Sequence, residues 1–246
     1  MLTYEQVALQ ELHEWQEKMT REPSLGGQLT KKVQDKLGNL IPEKVHEVIT
    51  GAIKHMVGGV LTGSEFISGG PLTDAPLEVR ERLVREKIGT YRNMGAASGA
   101  VTGAGGILLG LADFPVLLSL KMKLLFDIGC LYGYPVADFP ERLYILHIFQ
   151  LSFCSPERRI LTYQQLLHWD DTPHARPSDT HGFDWRTFQQ EYRDYIDLAK
   201  LLQLVPGIGA VVGAVANHRL MDRLGDTAMQ AYRLRKLKPL GLEAGS

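Results

Sequence analysis

Two stretches, Met94-Gly-Ala-Ala-Ser-Gly-Ala-Val-Thr-Gly-Ala-Gly-Gly-Ile-Leu-Leu-Gly-Leu-Ala112 and Val205-Pro-Gly-Ile-Gly-Ala-Val-Val-Gly-Ala-Val-Ala-Asn217, decide the fold. In the first, Gly95, Gly99 and Gly103 recur every fourth residue, and Gly106 and Gly110 repeat the spacing. Gly207, Gly209 and Gly213 mark the second. On a helix a four-residue step lines one face with missing side chains, and another backbone can approach closely there. Each helical glycine costs about 1 kcal/mol relative to alanine. Close helix packing is the compensation this pattern predicts. It indicates a packing or membrane-contacting device rather than a catalytic pocket.

Helical periodicity continues on both sides, with no convincing period-two alternation. Thr3 with Gln6 reads as a capping box ahead of the apolar face Ala8, Leu12, Trp15 and Met19. Leu29, Val33, Leu37 and Leu40 form the next stripe, and Pro42 opens another helix through Val45, Ile53, Met56 and Val60. Leu61 to Thr73 reads as a loop, and Asp74 as the cap of a helix opening at Pro76. Val116 to Leu131 is apolar almost all round, which makes it central. Asp138 and Glu141 read as a second capping box, and Ser155-Pro156 starts a further helix. His168 to Asp184 is polar, contains Pro173 and Pro177, and reads as a loop. Phe188, Tyr192, Tyr195, Ile196, Ala199 and Leu202 line an amphipathic helix with Arg193 and Asp197 as an i,i+4 pair on its polar side. The last helix runs from about Ile208 to Lys236. The expectation is an all-α protein of roughly eight to ten helices. It is read as one domain over residues 1–246, with two central glycine-rich apolar helices surrounded by amphipathic ones.

Lys and Arg total 27 against 28 Asp and Glu, so charge gives no argument for a nucleic-acid partner. Only Arg233, Arg235, Lys236 and Lys238 form a basic run. That run reads as a solvated helix end favoured by the macrodipole, or as a contact for anionic lipid. Cys130 and Cys154 lie in apolar surroundings and read as buried thiols in a reducing compartment. Glu5, Glu11 and Glu14 interrupt any apolar N-terminal run, so no secretory signal is expected. The expected location is cytoplasmic, against the inner face of the cell membrane if the protein touches lipid. Met94 to Ala112 is about 19 uncharged residues, the lower end of what a bilayer requires. A true span, a peripheral membrane contact and a buried helix pair are all compatible with it.

The stretch Glu191-Tyr-Arg-Asp-Tyr-Ile-Asp197 leads into Val205-Pro206-Gly207-Ile208-Gly209-Ala210 and on to Gly213, Ala214 and Asn217. Together with Ala112-Asp113-Phe114-Pro115 and Tyr132-Gly133-Tyr134, this resembles the EcsC protein family. The resemblance covers the chain from about Trp15 to Arg235, and the Pro206 to Asn217 block is its most specific part. The His168 to His181 loop does not match the family pattern. The resemblance implies a bacterial helical protein of a family named after a gene beside an ABC transporter. It supplies no established activity and therefore no catalytic residues.

Candidate chemistry is sparse. Gly207, Gly209 and Gly213 resemble a dinucleotide fingerprint, but a helix, not a strand, precedes them. No Lys-Ser or Lys-Thr pair follows either glycine stretch, which excludes a P-loop. His168, Asp170, Asp171, His174, Asp179, His181 and Asp184 are the densest metal-capable set, without a helical His-x-x-x-His pair to fix geometry. Asp113 reads as a helix cap, or as a buried polar anchor paired with Arg193 or Lys200; Asn217 reads as a second anchor. No motif activates Ser98, Thr102 or Ser119. The leading expectation is a non-enzymatic, membrane-associated or membrane-remodelling accessory protein, linked to a transporter, with lipid or a transmembrane helix as partner. No cofactor is expected. The alternatives are a soluble binder of lipid or another apolar ligand, and a metal-dependent hydrolase built on the 168–184 loop.

Overall fold

A computed structural model describes residues 2–21, 43–63, 66, 69–103, 114–173 and 209–238; residues 43–46, 48, 49, 96–103, 157 and 209–217 are described as helical backbone alone. Among the described residues there are seven helices and no strand. They are α1 (Tyr4–Thr20), α2 (Glu43–Thr62), α3 (Leu77–Gly103), α4 (Phe114–Leu131), α5 (Phe139–Phe153), α6 (Pro156–Leu167) and α7 (Gly209–Leu237). The stripe at Leu29 to Leu40, the Phe188 to Leu202 helix, and Gly106, Gly110, Asp113, Arg193, Asp197 and Gly207 lie outside the described residues.

Local rules set most helix starts. The capping box of α1 is formed: Gln6 N–H donates to Thr3 Oγ1 at 3.3 Å, and Thr3 N–H donates to Gln6 Oε1 at 2.9 Å. Such caps stabilise a helix by about 1 kcal/mol. Ala8 and Leu12 are buried, and Trp15 and Met19 pack at the edge of the core. Two predicted caps are not made. Asp74 takes a left-handed φ of +51° outside the helix, and Pro76 O accepts the first bond, from Arg80 N–H. Asp138 begins α5 with Pro140 in the first turn, but its side chain makes no cap bond; its N–H donates to Pro135 O, and Glu141 pairs with Arg235.

The architecture is organised by α7. It lies most extensively along α3 and also packs on α1, α4 and α5. α4 is central, as its apolar character predicts: Leu118, Met122, Leu124, Leu125, Phe126 and Ile128 are all buried. In the Leu61 to Thr73 segment the described residues beyond Thr62 are irregular, yet Phe66 is buried, 5.6 Å from the Phe126 ring. Cys154 is buried, Cys130 is half-buried, and neither forms a disulfide.

The helices α3 and α7 run antiparallel, and named pairs fix their register. Glu81 meets Arg233, Arg92 meets Asp222, and a Cβ at Gly95 would touch Met221 at 3.5 Å. At Gly225 a Cβ would stand 2.5 Å from Ile88, so the helices approach there as only glycine allows. Of these two positions only Gly225 shows an approach that a Cβ would block; at Gly95 a Cβ would make ordinary contact with Met221. Among the described residues no helix is long and apolar enough to cross a membrane.

Candidate functional site

Two buried cations on α7 organise the polar interior. Arg233 is 1% exposed and grips Glu81, itself fully buried, through Nε–H to Oε1 at 2.7 Å and Nη2–H to Oε2 at 2.6 Å. Its Nη1–H donates to Glu11 Oε2 at 2.6 Å, tying α1 to α7. Glu81 also accepts from the hydroxyls of Tyr4 at 2.7 Å and Tyr132 at 3.0 Å. Burial alone would raise the Glu81 pKa; the Arg233 hydrogen bonds and charge, with the two tyrosine hydroxyls, win and hold it below the usual range.

Two residues on, Arg235 makes two bonds to Glu141, at 2.8 and 2.9 Å, and two to Asp170, at 2.8 and 3.0 Å. Its guanidinium lies 4.0 Å from the Tyr134 ring centroid and 4.7 Å from that of Tyr144. Lys238 pairs with Asp171 at 2.6 Å. The basic run is therefore not a solvated helix end. Arg233 and Arg235 are enclosed by carboxylates from distant segments, which outcompete water where the ions are desolvated. That also removes these two arginines as lipid contacts.

The same bonds account for part of the loop read as metal-capable. Asp170 is held by Arg235, and His168 Nδ1 lies 3.5 Å from Asp171. No group of three or more metal-capable side chains occurs among the described residues, and His174 and His181 lie outside them. The Tyr132-Gly133-Tyr134 motif has a structural explanation. Tyr132 anchors Glu81, Tyr134 lies under Arg235, and Gly133 turns the chain at φ +87°. A Cβ at Gly133 would meet Leu72 O at 2.8 Å. Arg80 binds that same carbonyl at 2.7 Å and Leu131 O at 2.9 Å, pinning the loop to the end of α4.

Sequence reasoning missed Arg80, Glu81, Lys121 and Glu141 as buried charges. A signal exists for one of them: Leu77, Glu81, Val84, Ile88, Tyr91 and Gly95 follow alternating steps of four and three along α3. Glu81 occupies a core-facing position in that pattern. Of the predicted packing glycines, the structure describes the surroundings of Gly95 only, while Gly99, Gly103, Gly209 and Gly213 lie on helical backbone. Asn217 lies within α7.

The sequence model of the EcsC protein family matches residues 6–237. This chain belongs to the EcsC protein family. Protein EcsC of Bacillus subtilis (strain 168) is 42% identical over 238 residues, covering 96% of this chain and 98% of that protein. Uncharacterized protein YdbA of the same organism is 31% identical over 249 residues, covering 93% of this chain and 91% of its own length. No solved structure matches the chain.

Proposed function

We propose that this EcsC family member is a non-enzymatic accessory protein that rests against the inner face of the cell membrane. Its contact is the glycine-lined end of the α3–α7 pair, and it meets lipid from one side without a span. What supports the reading is the register. Gly95 lies against Met221, and carried two turns further the same antiparallel register pairs Gly99 with Asn217 and Gly103 with Gly213. Gly95, Gly99 and Gly103 on α3 and Gly209 and Gly213 on α7 then share one end of the helix pair. Met94 and Val116 stand at that end, 48% and 52% exposed, beside the Gly95–Leu117 contact.

With Arg233 and Arg235 enclosed, the attachment is apolar rather than electrostatic, so it resists salt. The test is flotation with vesicles of phosphatidylglycerol and phosphatidylethanolamine at low and high salt. The protein is expected to float in both, and Met94→Glu with Val116→Glu is expected to abolish flotation while leaving the melting temperature unchanged. Failure of the unaltered protein to float overturns the lipid reading and turns attention to the transmembrane helix of a transporter, the partner that the family resemblance suggests.

A further inference from the structure

A cleft of about 570 Å³ opens between α1, α3 and α7, beside the Glu81–Arg233 pair and separate from the glycine-lined end. Its apolar lining is Trp15, Ile88 and Met229, with Gly89 between them. Gly89 lies within α3, where a glycine costs about 1 kcal/mol relative to alanine. Packing does not require it: a Cβ there would find nothing within 4 Å. At Gly225, by contrast, a neighbouring helix fills the space. Gly89 keeps the cleft open.

The charges around the cleft are of two kinds. Arg233 and Glu11 satisfy each other at 2.6 Å, and Arg85 is tied to Tyr4 at 2.9 Å and to the buried Glu81 at 3.4 Å. The remainder have spare capacity. Lys18 and Glu14 line the cleft from α1 without an ion-pair partner among the described residues. Arg92 reaches only a long 3.4 Å contact with Asp222, and its Nε–H is buried without an acceptor. Asp226 lines the cleft from α7, within the field of Arg85, Arg233 and the like-charged Asp222, and makes no ion pair among the described residues. Two cations and two carboxylates with spare capacity therefore surround an apolar floor.

We propose that this cleft binds a small zwitterionic amphiphile, a molecule with an ammonium and an acidic group on a short apolar body. The acidic group meets Arg92 and Lys18, the ammonium meets Asp226 and Glu14, and the body lies on Trp15, Ile88 and Met229 over Gly89. A free metabolite such as an apolar dipeptide and a zwitterionic lipid headgroup share this chemistry.

Calorimetric titration of the full chain tests it with four probes. They are L-leucyl-L-leucine, dihexanoyl phosphatidylethanolamine below its micelle concentration, N-acetyl-L-leucine and L-leucinamide. At least one zwitterion is expected to bind about tenfold more tightly than either singly charged probe, since each charge-assisted contact contributes on that scale. Whether the dipeptide or the short-chain lipid binds identifies the source. Gly89→Leu fills the cleft, and is expected to abolish binding with an unchanged or higher melting temperature. Lys18→Gln, at an exposed position, provides a fold-neutral second variant and is expected to weaken binding. No binding by any probe, equal binding of the singly charged probes, or unchanged binding by folded Gly89→Leu would overturn the proposal.

Discussion

Arg233 and Glu81 lie 152 positions apart in sequence, and the energetics of that pair follow from burial. Its partner Glu81 is fully enclosed, so removing one ion leaves the other desolvated and alone. Arg233→Met is expected to destabilise the protein by about 3–5 kcal/mol, and the double variant Arg233→Met with Glu81→Leu to recover most of that loss. Denaturant unfolding measures both, and near-neutral behaviour of the single variant would contradict the buried geometry. Because the folded Glu81 pKa lies below its unfolded value, the stability the pair provides is complete above the usual glutamate range. It is lost as pH falls through the lower folded value, so the unfolding free energy should decline in acid, and Glu81→Gln should flatten that decline. Lys121 is shifted in the same direction, and its effect falls in the alkaline range. It is 6% exposed, its ammonium 5.2 Å from the Phe153 ring, and burial pushes its pKa down to about 8. The unfolded chain then binds more protons between pH 8 and the ordinary lysine value of 10.5, so stability rises across that window. Lys121→Met should remove the rise and increase the melting temperature at neutral pH.

At the scale of the helix pair, two glycines on facing helices predict opposite outcomes for one substitution. Gly225→Ala gains helix propensity but drives a methyl group into Ile88, at a net cost of about 1–3 kcal/mol. Gly89→Ala meets open space and should stabilise the protein by several tenths to about 1 kcal/mol. Thermal melts distinguish the two, and equal effects would contradict the register. Gly225 also shows where the sequence stops being legible. Spacing draws attention to runs of glycine, yet Gly225 stands outside either run, and only its neighbour on α3 explains it. The helix starts at Thr3 and Ser155 and the extent of α7 were legible because capping and periodicity are local. The fates of Glu141 and Asp170 were not, because a carboxylate that reads locally as part of a cap or as a loop ligand is bound elsewhere when a guanidinium distant in sequence reaches it. Arg235 claims both.

For the molecule as a whole, α7 binds the N-terminal helix at Glu11, α3 at Glu81, α5 at Glu141 and the Asp170 turn at Arg235. This leaves the basic run at the C-terminal end of α7 largely engaged within the protein. Its opposite end carries the glycine-rich run, where Met94 and Val116 are exposed nearby. The two ends of the helix pair thus differ in kind, one held by ion pairs and the other small-sided and apolar in sequence. A membrane contact at the second end depends on apolar burial, which salt does not weaken. The most direct test is fractionation of the native, untagged protein from cells, with a high-salt wash followed by detergent. The account predicts that it sediments with membranes, stays there through the salt wash and is released by detergent. Recovery in the soluble fraction before any wash would contradict it.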